Sequence, residues 1–443
     1  MLDVKRNLTT MTDFYELTMS AGYLDEGYVD KIAVFDMFFR RVPDGGGYAV
    51  MAGLQQFIDA VDHLEFTDED ITYLRSTKTF DEKFLNYLAN FKLHCNIWAI
   101  EEGMPIFPQE PIVTVEGPAI ECQLLETLLL VTFNHQCLIA TKASRIVRSA
   151  AGRPVMEFGA RRAQGYDAAY FGARASYIGG CGSTSCVMAA RDFGIPASGT
   201  MAHSWVQMFP TEYDAFKKYA ELYPDACVLL VDTYNIEEAV KTAVEVAGPE
   251  LGGVRIDSGD LAAMAQRVRN QLDALGATNT TITVTNDLDE YALAALQTAP
   301  VDSYGVGTML VTGSGAPTCA MVYKLTEREG ADGTMVPVMK KSKDKATVPG
   351  RKLAFRSYEY ALAEAEHVIS GSEEKLAGFT PEPTWKNLLV DFVDHGHIDA
   401  QWQGHDAIMA AHDYHAKALS ELPITAQSLM KGEPVIPTET QVL

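Results

Sequence analysis

Three absences narrow the reading of this 443-residue chain. Its seven cysteines are scattered and form no CxxC pair. That spacing argues against a disulfide framework or a structural zinc site and favours a reducing compartment. The longest apolar runs, such as LLETLLLVTF, fall well short of the ~20 residues a bilayer helix requires, and no signal-peptide pattern opens the chain. A cytoplasmic protein that does not cross a membrane is therefore expected. Positive charge is also scarce: 36 Lys and Arg against 59 Asp and Glu leave a formal net charge of -23. Nucleic acid and anionic lipid surfaces would repel such a chain at long range. No low-complexity segment is present, and no repeat beyond a strand–helix period.

The basic residues that do occur are locally gathered. MKKSKDKATVPGRK brings Lys340, Lys341, Lys343, Lys345, Arg351 and Lys352 into one short stretch. It reads either as a solvated loop or as a lid over phosphates. Five histidines also crowd one region: His395, His397, His405, His412 and His415. Their spacing matches no zinc template, so surface histidines are expected and no metal site is assigned.

Three parts are expected along the chain. Residues 1–150 read as a mixed α+β domain. In it LTTMTDFYELTMSAGYL is a capped amphipathic helix, KIAVFDMFFRRVP a strand, and residues 123–151 a long helix pair. Residues 151–312 alternate short apolar runs with helical segments. Strand and helix at this spacing build parallel βα units, and so many of them predict an irregular or incomplete α/β (TIM-like) barrel. Residues 313–443 begin with strands that rejoin the N-terminal domain and end in a helical tail.

The residues at the end of each apolar run are chemically loaded: Arg161, Ser185, His203, Asp232, Arg255 with Asp257, Asn286 with Asp287, and Thr308. In a parallel barrel these positions share the face on which active sites are built. Ser, Thr, Asp and Asn also belong at helix N-caps, which is the plain alternative for each of them taken singly. Arginine and histidine are poor caps and unwelcome at the positive end of a helix dipole. Two fixed cations on one rim call for an anionic ligand. In YGVGT, Gly305, Gly307 and Thr308 offer backbone N–H groups to a phosphate, or simply make a tight turn. In RIDSGD, Arg255 presents a planar fork to a carboxylate or phosphate, while Asp257 and Asp260 suit ribose hydroxyls or a hydrated Mg²⁺. A phosphosugar, an anionic ring and a divalent cation together suggest phosphoribosyl transfer.

TDFYELTM, FFRRVP, EFGARRAQG, GTMAHS, VDTYN, RIDSGD and YGVGT, in this order, resemble nicotinate phosphoribosyltransferase from about residue 8 to residue 356. The resemblance implies a homodimer with an irregular α/β barrel. It also implies ATP-assisted formation of nicotinate mononucleotide from nicotinate and 5-phosphoribosyl 1-diphosphate, with Mg²⁺. By the same resemblance His203 is the residue that ATP phosphorylates, with Asp232 fixing its tautomer. The pyridine ring stacks between Phe158 and Tyr15, the latter supplied by the second subunit. Arg161, Arg255 and Thr200 orient nicotinate, Asp257 holds the ribose hydroxyls, and Thr308 holds the 5′-phosphate. Arg40, at the end of FDMFFRR, is a further candidate for the diphosphate. In the related nicotinamide enzymes an aspartate occupies the position of Ser185, or of Ser183; a serine there does not repel a carboxylate. Asn235 departs from the aspartate of many relatives and is left out of the site. Transfer to nicotinamide or quinolinate, or a phosphosugar-binding scaffold without activity, are the competing readings.

Overall fold

The computed structural model describes residues 7–340 and 347–443. Lys341, Lys343 and Lys345 of the basic stretch lie outside the described residues. The chain divides into two compact units: one drawn from both ends, up to Leu138 and from Gly315 onward, and one formed by Ile139–Ser314.

The first unit is organised by a seven-stranded antiparallel sheet. Its strand order is Met335–Pro337, Val322–Glu329, Ile32–Phe38, Val113–Pro118, Asn96–Ile100, Leu389–Asp394, His397–Ile398. Ile32–Phe38 (IAVFDMF) is central and buried from its second residue onward, as expected of a strand covered on both faces. Its one charged residue, Asp36, accepts from Lys352 Nζ at 2.6 Å and from the Thr114 hydroxyl at 2.7 Å. A buried carboxylate is tolerated there because it is paired and hydrogen-bonded. The helix Phe14–Asp25 has Asp13 as its N-cap. The Glu16 carboxylate folds back to the Asp13 N–H at 3.4 Å and to the Thr12 hydroxyl at 2.7 Å, a capping box.

Two expectations for this unit do not hold. Residues 123–151 form one 24-residue helix, Glu126–Ser149, after a short turn of helix at Ala119–Leu124, rather than a pair. By length and composition the run Ala119–Ser149 is apolar enough to cross a bilayer, yet 67% of its most apolar window is buried. It is a core helix, contributing Leu125, Leu129, Phe133 and Cys137 to the apolar interior. The tail is not helical throughout. Arg351–Glu359 and Leu362–Gly371 pair as an antiparallel hairpin, extended by Lys386–Asn387 and Thr438–Val442 into a four-stranded sheet. Only Gly404–Ser420 forms a long helix there. The hairpin turn, Tyr360–Ala361, has φ of 49° and 65°. Such paired left-handed residues join twisted strands well, but they are usually Asn and Gly, so the sequence carried no turn signal.

In the second unit six parallel strands stand in the order Ser183–Thr184, Val155–Glu157, Ser303–Val306, Thr281–Val284, Gly253–Ile256, Val228–Leu230. The last strand in sequence pairs with the first. That is the succession met in going round a barrel; here the sheet is open between its two edge strands. The apolar run IPASGTMAHS, one of those that alternate with helical segments, contributes a single bridge, Thr184 to Ala197. The core is strand and helix aliphatics, among them Leu229, Val254, Ile256, Ile282, Val284 and Val306, as parallel strands covered on both faces require.

Candidate active site

All parallel strands of the second unit end on one side, and the site is assembled from residues at and just beyond those strand ends. Phe158 comes directly after Val155–Glu157, its N–H bonded to the Val306 carbonyl at 2.8 Å. Its ring lies against Gly305, where a β-carbon would stand 2.6 Å from Phe158 Cδ2 and 2.6 Å from Thr285 Cγ2. Gly305 is thus required by close approach. It lies inside the strand Ser303–Val306, so the expected three-residue phosphate cradle reduces to Gly307 and Thr308, at the start of the short helix Thr308–Val311.

Below Phe158, the Glu157 carboxylate is buried and accepts from the Thr184 hydroxyl at 2.6 Å and from the Gly159 N–H. Burial pushes its pKa up, and the two hydrogen bonds partly counter this. Glu157 ties the turn after Phe158 to the strand preceding Ser185, whose own N–H meets the Glu157 carbonyl at 2.9 Å. The Ser185 residue is exposed, while Ser183 is buried within its strand.

Arg255 lies within Gly253–Ile256 rather than beyond it, half-buried, its guanidinium donating to the Thr200 hydroxyl at 2.5 Å. Its Nε is buried and has no hydrogen-bond partner among the described residues. Burial lowers its pKa and the exposed Arg161 lowers it further, while Asp257 and Asp232 oppose both effects. Arg161 follows Phe158 on the turn Ala160–Arg162. The desolvated Arg255 guanidinium thus has two carboxylates and a second guanidinium within electrostatic reach.

His203 opens the helix His203–Gln207. Its Nδ1 lies 3.1 Å from the Thr233 hydroxyl. Its Nε2 is 3.9 Å from Asp232 Oδ1 and 3.8 Å from Asp257 Oδ2, too far for hydrogen bonds. The hydrogen-bond partner of the ring is therefore Thr233, where Asp232 was expected. The Asp232 side chain is only 1% exposed. Its Oδ2 accepts from the Asp257 N–H at 3.0 Å and the Ser258 hydroxyl at 2.6 Å, leaving Oδ1 without a partner among the described residues. The Thr285 hydroxyl donates to Asp257 Oδ1. Thr233 thus meets His203, Ser258 meets Asp232 and Thr285 meets Asp257, while Arg255 bonds separately to Thr200. Those three hydroxyls are the residues that sequence reasoning missed. Thr233 stands inside VDTYN and Ser258 inside RIDSGD, but nothing in a single sequence says which hydroxyl turns inward.

Other expected residues have plainer employment. Asp260 caps the helix Leu261–Ala274, accepting from the Ala263 N–H at 3.1 Å, rather than joining Asp257. Asn235 likewise caps Ile236–Ala247. Asn286 and Asp287 form a left-handed turn, with φ of 95° and 43°. In the first unit, Tyr15 is 44% exposed on the helix Phe14–Asp25. Burial of its hydroxyl, then Glu126 and Glu16, raise its pKa. The Arg40 guanidinium lies over the Phe38 ring at 5.3 Å. Of the basic stretch, Arg351 pairs with Glu116 at 2.5 Å and Glu327 at 3.1 Å, and Lys352 with Asp36, so neither belongs to a free lid. Among the five clustered histidines, His415 is buried, against expectation, with Nδ1 2.8 Å from the Gly103 carbonyl. Among the described residues no group of three or more His, Cys, Asp or Glu side chains is placed to hold a metal ion.

Comparison with known proteins adds a second line. The model of the nicotinate phosphoribosyltransferase (NAPRTase) N-terminal domain matches residues 10–134, and that of the NAPRTase family matches residues 154–351. The nicotinate phosphoribosyltransferase pncB1 of Mycobacterium tuberculosis is 42% identical over 438 residues, covering 97% of this chain and 94% of that protein. The nicotinate phosphoribosyltransferase of Bacillus subtilis is 44% identical over 361 residues, covering 79% and 73%. The crystal structure of human nicotinic acid phosphoribosyltransferase matches with a TM-score of 0.81 at 27% identity over 97% of each chain. That of nicotinate-nucleotide pyrophosphorylase from Pyrococcus furiosus, at 24% identity and a TM-score of 0.76, covers 94% and 97% and shares the fold.

Proposed function

Because this chain belongs to the nicotinate phosphoribosyltransferase family, we propose that the strand ends of its second unit bind nicotinate and 5-phosphoribosyl 1-diphosphate and join them. Nicotinate phosphoribosyl transfer, a step of NAD biosynthesis, is its function. The observation that carries the site assignment is Arg255: a half-buried guanidinium, oriented by Thr200, with an unsatisfied N–H and a second arginine nearby. A planar carboxylate is the ligand that completes it.

In this reading the pyridine ring lies on Phe158 and is covered by the partner's Tyr15 in a homodimer. Offset stacking contributes about 0.5–1.5 kcal/mol beyond area burial. Arg161 and Arg255 hold the carboxylate. The ring nitrogen attacks C1 of the ribose as diphosphate departs, and Asp257, pinned by Thr285, takes the ribose hydroxyls. Gly307 and Thr308 meet the 5′-phosphate, and Ser185 lines the slot. Mg²⁺ commonly binds through substrate phosphates and one or two carboxylates, which fits a site offering Asp257 and the free oxygen of Asp232 but no three-residue cluster among the described residues. Its contribution would be to neutralise the leaving diphosphate. ATP phosphorylates His203, and hydrolysis of the phosphohistidine drives the equilibrium toward nicotinate mononucleotide. The strand order supports an incomplete barrel, and the scattered free cysteines support a cytoplasmic setting.

Product analysis with nicotinate and, separately, quinolinate tests this reading. Nicotinate mononucleotide is expected from nicotinate alone; its formation from quinolinate would overturn the one-carboxylate site.

A further inference from the structure

Thr285 stands one residue beyond the strand Thr281–Val284, and the two ends of its side chain meet different parts of the site. Its N–H donates to the Ile256 carbonyl at 3.0 Å, which fixes it beside the turn that carries Asp257. The residue is buried, and its hydroxyl donates to Asp257 Oδ1. The Asp257 N–H is itself held by Asp232 Oδ2 at 3.0 Å, so the backbone and the side chain of Asp257 are both tied. With Oδ1 engaged by a protein donor, Oδ2, 3.8 Å from His203 Nε2, is left open to ribose hydroxyls. The Thr285 methyl meets a different neighbour. A β-carbon at Gly305 would stand 2.6 Å from Thr285 Cγ2, 2.6 Å from Phe158 Cδ2 and 2.7 Å from Phe158 Cε2. The methyl and the ring edge thus share the space that a side chain at position 305 would fill. In a close-packed interior the ring keeps its place only while that space stays filled.

We propose that Thr285 is a two-ended positioning residue for the transfer: its hydroxyl sets Asp257 for the ribose, and its methyl keeps the Phe158 ring in place beneath the pyridine. This rests on the roles given to Asp257 and Phe158 in the reading above. Acting through those two residues, Thr285 needs no substrate contact of its own. A β-branched side chain is stiff at χ1, so one rotamer sets both ends at once. The pyridine nitrogen and C1 of the ribose react only when held at near-attack distance. One side chain thereby aligns the platform of one substrate with the anchor of the other.

The test separates the two ends. Thr285→Val keeps the branched shape and the methyl but removes the hydroxyl, whereas Thr285→Ser keeps the hydroxyl and removes the methyl. Steady-state kinetics of the full chain with ATP and Mg²⁺ give KM for each substrate, with Asp257→Asn as the reference and thermal unfolding as the check on the fold. Thr285→Val is expected to raise KM for 5-phosphoribosyl 1-diphosphate about ten-fold and to leave that for nicotinate within about two-fold. Thr285→Ser is expected to reverse the pattern, raising KM for nicotinate about four-fold and restoring that for 5-phosphoribosyl 1-diphosphate. Losses that fall equally on both substrates in both variants overturn the proposal and make Thr285 a structural residue. An unchanged KM for 5-phosphoribosyl 1-diphosphate in Thr285→Val, where Asp257→Asn raises it, overturns the proposal and leaves the ribose site standing. No change in Asp257→Asn either overturns the ribose assignment together with the proposal. Should Thr285→Val fail to fold, Thr285→Ser decides alone: a raised KM confined to nicotinate supports the two-ended role, and no change for either substrate overturns it.

Discussion

Arg255→Ala lowers kcat/KM for nicotinate by about 100-fold or more, the loss expected when hydrogen bonds to a charged group worth ~3 kcal/mol disappear. The fold is expected to survive the substitution. Burial pushes the Arg255 pKa down, which means that the charged guanidinium is less well solvated in the folded protein than in water. Removing it relieves that desolvation cost while giving up the attraction of Asp257 and Asp232, and among the described residues its side-chain hydrogen bond goes to the Thr200 hydroxyl. Arg255→Lys is expected to recover little, because an ammonium cannot present two parallel N–H groups to a carboxylate. Steady-state kinetics alongside thermal unfolding check both halves. Loss of activity together with the unfolding transition would make Arg255 structural, and unchanged turnover would remove it from the site.

His203→Ala abolishes ATP stimulation, so that rates with and without ATP become equal. The ring is 39% exposed, makes one hydrogen bond and opens a five-residue helix, so little of the fold depends on it. In the proposed function, the substitution removes the nucleophile that takes the γ-phosphate. Slow, ATP-independent transfer is expected to remain, because Phe158, Arg255 and Asp257 are untouched. ATP hydrolysis followed in parallel with product separates coupling from transfer. A variant that still hydrolyses ATP in step with product formation would place the phosphorylated group elsewhere.

Much of this site was legible because a parallel sheet turns sequence order into spatial order. Each apolar run ends on the same side, so Arg161, Ser185, His203, Asp232, Asp257 and Thr308 read as neighbours along one edge from the sequence alone. Asp260 shows the limit of the same logic. Like Asn235 it stands at a strand-to-helix junction, and its side chain caps the helix that follows, the bond its position favours. Arg351 and Lys352 were read from local charge, yet their partners Glu116, Glu327 and Asp36 include residues far away in sequence. The hydroxyls of Thr233, Ser258 and Thr285 were invisible for a related reason: a threonine is ordinary in a strand and at its end, and only the direction of the side chain distinguishes it. Gly305 looked like one of three residues of a phosphate cradle, whereas its missing side chain makes room for the Phe158 ring. The β tail was missed at Tyr360–Ala361, where left-handed backbone is made without glycine.

Equal concentrations of nicotinate and nicotinamide, incubated with the purified protein, 5-phosphoribosyl 1-diphosphate and Mg²⁺, with and without ATP, test the account most directly. Nicotinate mononucleotide alone, rising with ATP, is the expected product. Nicotinamide mononucleotide would contradict the carboxylate site at Arg255 and Ser185.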